Sequence, residues 1–335
     1  MRRTVLITGG AGYIGSHAVK HFAEKGFEVI IFDNLSRGYE DAVAATQKFG
    51  NVRLIKGDLR NREDIREVFK GNNISSVLHF AALCLVNESM EQPELYFENN
   101  AFGSLNLFEA MREHDVRNIV FSSTCAVYGE TAYLPVDESH PTDPTNPYGE
   151  SKLLTERKLR WYGDIHGFRY AILRYFNVCG ASSDGSIGDS KRPSQLLMQN
   201  AVRGAMGIEP FEYTCPVVDT PDGTPIRDYI NVEDLVDAHF DAYRYLQEGG
   251  MSDVFNLGTG TGNSVREIVS KVEEAFGVRI PEKKSNTPRK GEYAKIFAEP
   301  AKARRVLGWE PKRTLHDSVT SLGTWYKSFP NGYEK

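Results

Sequence analysis

Short, continuously apolar runs alternate with amphipathic segments through the first half of the chain. The runs are 4–8, 28–32, 52–56, 76–81 and 118–123, with 170–175 following later. A short apolar run bounded by turn residues predicts a strand covered on both faces. Between the runs lie segments such as 61–70, where Ile65, Val68 and Phe69 share one helical face and Asn61 stands in the capping position. Strand alternating with helix predicts an α/β fold with a doubly wound parallel sheet and right-handed crossovers. After about residue 177 the rhythm breaks. Segment 180–194 is rich in Gly, Ser and Asp, and 214–225 in Pro, Thr and Asp, so both read as loops. A strand at 253–257 and a helix at 264–276, capped by Ser264, predict a smaller α/β C-terminal lobe.

Composition narrows the function classes. The chain has 335 residues, 40% hydrophobic and 25% charged, with a formal charge of −5. These values are ordinary for a globular protein. The absence of a long basic run argues against a nucleic-acid partner. No uninterrupted apolar stretch is long enough to span a bilayer. Met-Arg-Arg leads straight into Val5-Leu6-Ile7, which leaves no room for a signal peptide, so a cytoplasmic location is expected. Cys84, Cys125, Cys179 and Cys215 are widely separated and form no CxxC pair, and the eight histidines form no HExxH. Neither a disulfide framework nor a metal site is expected.

The run 4–8 leads into Gly9-Gly10-Ala11-Gly12-Tyr13-Ile14-Gly15, a GxxGxxG spacing at the start of a helix. Glycines tighten such a turn and let backbone N–H groups approach a pyrophosphate at the positive helix end. Alone, the triplet also suits a plain strand-to-helix turn. Here it sits in the first βα unit, and Asp33 ends the second strand, where a carboxylate bonds both ribose hydroxyls of NAD and repels a 2′-phosphate. Together they predict dinucleotide binding. Arg37 stands close by and weakens the case against NADP, with NAD the favoured reading. Asp58, after the third strand, either meets the adenine edge or caps the next turn.

A second constellation is Tyr148-Gly-Glu-Ser-Lys152, preceded by Ser122-Ser123-Thr124 at a strand end. With 147–161 helical and Pro147 in its first turn, Tyr148 and Lys152 share one face. An ammonium beside a phenol favours the phenolate and is expected to lower its pKa, which suits Tyr148 to act as a general base. Thr124, at the C-terminal end of a central strand, lies where such sheets hold ligands and can relay the proton. An exposed Tyr–Lys pair is the bland alternative, and the glycine motif makes it the weaker one.

The motifs TGGAGYIGSH, FDNL, GDLR, HFAA, SSTCAVYGE, NPYGESK and LRYFNVCGA resemble the extended short-chain dehydrogenase/reductase family. With RDYINVEDL, NLGTG and LGW, almost the whole chain is similar to the UDP-hexose 4-epimerase branch of that family. The resemblance implies a Rossmann domain over 1–177, rejoined by chain from about 226–260, that holds NAD. A lobe formed mainly by 178–335 would grip a UDP-sugar. Tyr148 would be the base, Lys152 its tuning partner and ribose ligand, and Thr124 the hydroxyl between Tyr and sugar. Gly9, Gly12, Tyr13, Ile14, Gly15, Asp33, Asn34, Ser36, Asp58, Leu59, Phe80, Ala81, Ala82, Cys84, Asn99, Tyr175 and Phe176 would complete the cofactor site. Asn177, Gln195, Leu196 and Arg227 would meet the substrate diphosphate, with Tyr213, Arg289 and Glu292 near the nucleotide and Ile296 near the sugar. The implied reaction inverts C4 by removing a hydride to NAD and returning it to the other face of a 4-keto sugar. A homodimer through helices around 93–113 and 148–162 is also implied, although core packing accounts equally well for Leu105, Leu107 and Phe108.

Several residues depart from the family pattern. Cys84 stands where a lysine commonly reaches toward the cofactor phosphates. Ser194-Gln195-Leu196 replaces an Asn-Asn-Leu run, and 212–216 lacks the usual Phe-Gly, leaving Tyr213 as a stacking ring. Ile296 replaces a bulky tyrosine that excludes N-acetylated sugars in some relatives, which extends the expected substrates to UDP-N-acetylhexosamines. Related dehydratases and decarboxylases carry an acid just after the active-site hydroxyl. Cys125-Ala126 here supplies none, which favours epimerisation. The alternatives are another nucleotide sugar (a UDP-uronic acid or dTDP-hexose) and a non-catalytic NAD(P)-sensing module.

Overall fold

The apolar runs of the first half become strands of one sheet in a computed structural model that describes residues 3–191, 194–281, 283 and 293–333. The strands are β1 (Thr4–Thr8), β2 (Glu28–Asp33), β3 (Asn51–Lys56), β4 (Ile74–His79), β5 (Asn118–Thr124) and β6 (Arg169–Tyr175). After β7 (Asn177–Cys179) and β8 (Ile226–Asn231), β9 (Asp253–Leu257) returns to the same sheet. Its order is β3-β2-β1-β4-β5-β6-β9, and every neighbouring pair is parallel. This is the doubly wound arrangement, in which strand order reverses between β1 and β4.

Burial on both faces explains why these strands read as unbroken apolar runs. Val5, Ile7, Val29 and Ile31 point into one core layer, while Leu6, Ile30 and Phe32 point into the other. Successive side chains of a strand alternate between faces, so a strand with helices on both sides needs apolar residues at every position. Helix Tyr13–Glu24 and helix Val232–Gln247 cover the first layer, and Arg62–Phe69 the second. Asn61 caps the last of these by accepting from Glu63 N. β4 ends at His79, short of the expected 81, because Phe80 and Ala81 leave the sheet beside the glycine turn.

A smaller sheet is built around β8, with β10 (Gly262–Ser264) antiparallel to it and β7 and β11 (Lys295–Ile296) parallel. Of the stretch 226–260, residues Ile226–Asn231 form the centre of this second sheet, and β9 joins the large one. Helix Val232–Gln247 between them packs on the large sheet. Below the small sheet, Met198, Val202, Ile268, Val272, Leu322 and Trp325 form a separate core. Helix Val265–Phe276 begins with a capping box between Ser264 and Glu267, which satisfies two otherwise orphaned N–H groups.

Candidate active site

The C-terminal ends of β1, β2, β4 and β6 open into a cavity of about 770 Å³ at the point where strand order reverses, and Thr124 at the end of β5 is not among its lining residues. Open α/β sheets hold ligands at this position. Gly9 has φ +73, and a Cβ there would lie 2.6 Å from Ala81 N; a Cβ on Gly15 would lie 2.1 Å from Gly9 O. The turn therefore closes only with glycine at both positions. Gly12 precedes helix Tyr13–Glu24, whose first turn has neither a side-chain cap nor an acidic residue. Its free N–H groups and the positive helix end suit a phosphate.

Asp33 is buried at the end of β2, and its carboxylate accepts from Ala11 N at 3.1 Å and Leu35 N at 2.8 Å. The glycine turn and the acid that was expected to bind ribose thus hold one another in register. Leu35 adopts φ 60, which turns Ser36 and Arg37 along the cavity wall. Asp58 makes the turn-capping contact that the sequence left open. It lines the cavity, and its carboxylate also accepts from Arg60 N and Nη2 and from Asn34 Nδ2. Chiefly through the Arg60 hydrogen bond, its pKa falls to about 2.

At the other end of the cavity lies the Tyr–Lys pair. Asn146 caps helix Pro147–His166 through Gly149 N at 2.9 Å, and the proline occupies the first turn. Tyr148 and Lys152 sit one turn apart, both buried and both lining the cavity. Lys152 Nζ donates to Ser122 O at 2.8 Å, and Thr124 ends the same strand. The helix is locked to the sheet by a buried ion pair, Arg174 Nη2 to Glu156 Oε2 at 2.5 Å, with Ser123 Oγ donating to Glu156 Oε1. His239 Nδ1 donates to Leu235 O, which leaves Nε2 to accept from Ser122 Oγ at 2.9 Å, and the ring stacks on Phe80. These supports carried no sequence signal, because each joins residues distant along the chain.

One electrostatic expectation is corrected. Burial raises the Tyr148 pKa well above its ordinary 10, with the nearby Tyr175 adding to the rise and the Thr124 hydroxyl opposing it. Desolvation outweighs the nearby ammonium of Lys152, which is directed to Ser122 O. Burial in turn lowers Lys152 to about 8.

Of the expected cofactor residues, Gly9, Gly12, Tyr13, Ile14, Gly15, Asp33, Asn34, Ser36, Asp58, Leu59, Phe80, Ala81, Ala82, Cys84, Asn99, Tyr148, Lys152 and Tyr175 line the cavity. Phe176 does not; its side chain packs with Val127, Tyr128, Leu153 and Ile296. Sequence reading missed Glu88, Lys191 and Tyr333, which reach the same wall from a short helix, a loop and the C-terminal segment. Lys191 Nζ lies 3.6 Å from Cys84 Sγ, so an ammonium does stand beside residue 84.

Asn177, Gln195, Leu196, Tyr213 and Arg227 line a second, smaller cavity of about 80 Å³, with Gln195 shared between the two. Ile296 pairs with Arg227 across β11 and β8 but is buried in the Phe176 cluster and lines neither cavity. Arg289 and Glu292 lie outside the described residues.

The sequence model of the NAD dependent epimerase/dehydratase family matches residues 5–258. A UDP-glucose 4-epimerase of Halalkalibacterium halodurans is 42% identical over 331 residues, covering 98% of this chain and 97% of its own. A crystal structure of UDP-glucose 4-epimerase superposes with a TM-score of 0.93 at 44% identity, covering 99% of this chain and 100% of that one. The Bifidobacterium longum UDP-glucose 4-epimerase, solved with NAD+ and UDP, gives a TM-score of 0.92 at 36% identity, with 98% and 100% coverage.

Proposed function

The chain belongs to the NAD dependent epimerase/dehydratase family, and on that premise we propose that it interconverts UDP-glucose and UDP-galactose by inversion at C4. One observation carries the reading: a buried Tyr148–Lys152 helical turn opens into the same cavity as the glycine turn and Asp33. The glycine cradle, the uncapped helix end and the oriented carboxylate fit a dinucleotide. Held by the glycine turn and Asp33, NAD would supply reversible hydride chemistry at C4.

The roles of the protein groups follow from their positions. Tyr148 takes the proton of the C4 hydroxyl and gives it back, with Thr124 relaying between phenol and sugar. Because burial holds the phenol neutral, its ionisation depends on positive charge brought close to it, and Lys152 supplies a charge that Ser122 O keeps in place. Asn177, Gln195, Leu196, Tyr213 and Arg227 would hold the UDP portion along the second cavity. In this division of labour, 1–177 serves the cofactor and mainly 178–335 the substrate. Buried and lining neither cavity, Ile296 would act on an N-acetyl group only through the residues it packs against, Phe176 among them; on that footing the reading extends to UDP-N-acetylhexosamines.

A cytoplasmic homodimer completes the proposal. Among the described residues, no helix is long and apolar enough to cross a membrane, and the four cysteines are free thiols. Leu107 and Phe108 belong to the core, but Trp161 and Ile165 share the outer face of helix Pro147–His166 at 63% and 65% exposure. Such a pair is suited to a contact between copies, and Trp161→Glu should give a monomer by sedimentation.

The test is incubation with UDP-galactose or UDP-N-acetylgalactosamine without added NAD, with products separated by anion-exchange chromatography. Appearance of the gluco epimer supports the proposal, and its loss in Tyr148→Phe rules out the sensing module. No conversion of either sugar, even with NAD supplied, would overturn the substrate assignment and direct the assay to UDP-uronic acids and dTDP-hexoses. An Ile296→Tyr variant that kept its N-acetyl activity would remove the argument from residue 296.

A further inference from the structure

Arg37 lies in the turn after β2, four positions beyond Asp33, and lines the wall of the same cavity. A guanidinium placed there is the group that accommodates a ribose 2′-phosphate in NADP-using sites of this architecture. In this protein it is already engaged. Arg37 Nη2 donates to Glu88 Oε1 at 2.5 Å, and Glu88 comes from helix Val86–Glu91 and lines the same cavity.

Glu88 also has a partner beneath it. The hydroxyl of the fully buried Tyr96 accepts from Leu85 N and has one proton to give, for which Glu88 Oε2 and Leu85 O, both at 2.8 Å, compete. The carboxylate therefore has one oxygen beside the Tyr96 hydroxyl and the other presented to Arg37. Arg37 is half exposed and Glu88 mostly buried, so the glutamate is the more constrained partner. The pair neutralises a cation on the cavity wall that also carries Asp33.

We propose that Glu88 is a cofactor-selectivity residue: by holding Arg37 it denies a 2′-phosphate the cation it requires and reinforces the preference for NAD over NADP. The proposal rests on the reading of this cavity as the NAD site. It assigns discrimination to two side chains 51 residues apart, in addition to the carboxylate of Asp33.

The test makes the choice of cofactor occur during folding. Wild-type protein, Glu88→Gln, Glu88→Ala and the double variant Arg37→Met/Glu88→Ala are each synthesised in a cell-free system with equal NAD and NADP. After purification, bound dinucleotides are released with acid and quantified by chromatography. Both Glu88 variants should raise the ratio of bound NADP to NAD on the order of tenfold, and Arg37→Met should abolish the gain. The Gln variant can still bond Tyr96 and guards against a folding defect in the Ala variant. An unchanged ratio in both single variants, or a gain that persists without Arg37, would overturn the proposal. A wild-type protein that carries neither dinucleotide would overturn the NAD reading itself.

Discussion

Lys152 Nζ donates to Ser122 O at 2.8 Å, and its ammonium lies 4.9 Å from the centre of the Phe121 ring. Ser122 is two residues before Thr124 on β5, so one strand end holds both the lysine and the hydroxyl that would relay the proton. Burial lowers the lysine to about 8, which leaves it mostly charged at neutral pH. Lys152→Met should therefore raise the pKa of Tyr148 further and move the acidic limb of the activity profile to higher pH. Turnover measured against pH would show this, and a uniform loss without displacement of the limb would contradict it.

Tyr148→Phe removes the proton acceptor while keeping the ring that meets Tyr96 edge-on. Turnover should drop roughly 10²–10⁴-fold, with bound NAD retained. Release of the cofactor by acid, alongside the rate, separates a lost base from a collapsed site.

The pair Arg174–Glu156 is buried and bridges the catalytic helix to β6. Glu156→Ala leaves a guanidinium without its counter-charge and should cost about 3–5 kcal/mol in a urea melt. Replacing both residues by apolar ones of similar size should recover much of that loss, since both charges are then removed from the interior.

Burial lowers His17 and His239 from 6.5 to about 4, so both stay neutral in the folded protein. Between pH 6.5 and 4 the unfolded chain binds protons that the folded chain refuses, and stability must fall as pH falls through this window. Each histidine contributes on the order of 3 kcal/mol to that loss, and the contribution levels off below about pH 4. Denaturant melts from pH 7 to 4 would follow the decline, which His239→Gln should make shallower. A flat response would contradict the burial argument.

Gly15→Ala places a methyl against Gly9 O, in a turn made of backbone that has nowhere to move. Loss of bound cofactor, and of much of the folded protein, is expected. Circular dichroism and cofactor content on the same sample would distinguish the two effects.

The large sheet, the glycine turn with Asp33, and the Tyr148–Lys152 face were legible in the residues because each is written locally. Alternating burial shows in consecutive residues, a tight turn demands glycine at fixed spacing, and a helical face repeats every four positions. Caps at Asn61 and Ser264 were legible for the same reason. Tertiary structure alone decided what depends on distant partners. Arg37, which in sequence weakened the case for NAD, is neutralised by Glu88; Lys191 comes to stand beside Cys84; and Phe176 and Ile296 turn into one apolar cluster instead of a ligand wall. The sense of the Tyr148 pKa shift belongs here too. Spacing placed an ammonium one turn away, but the desolvation that outweighs it arises only when the helix is packed against the sheet.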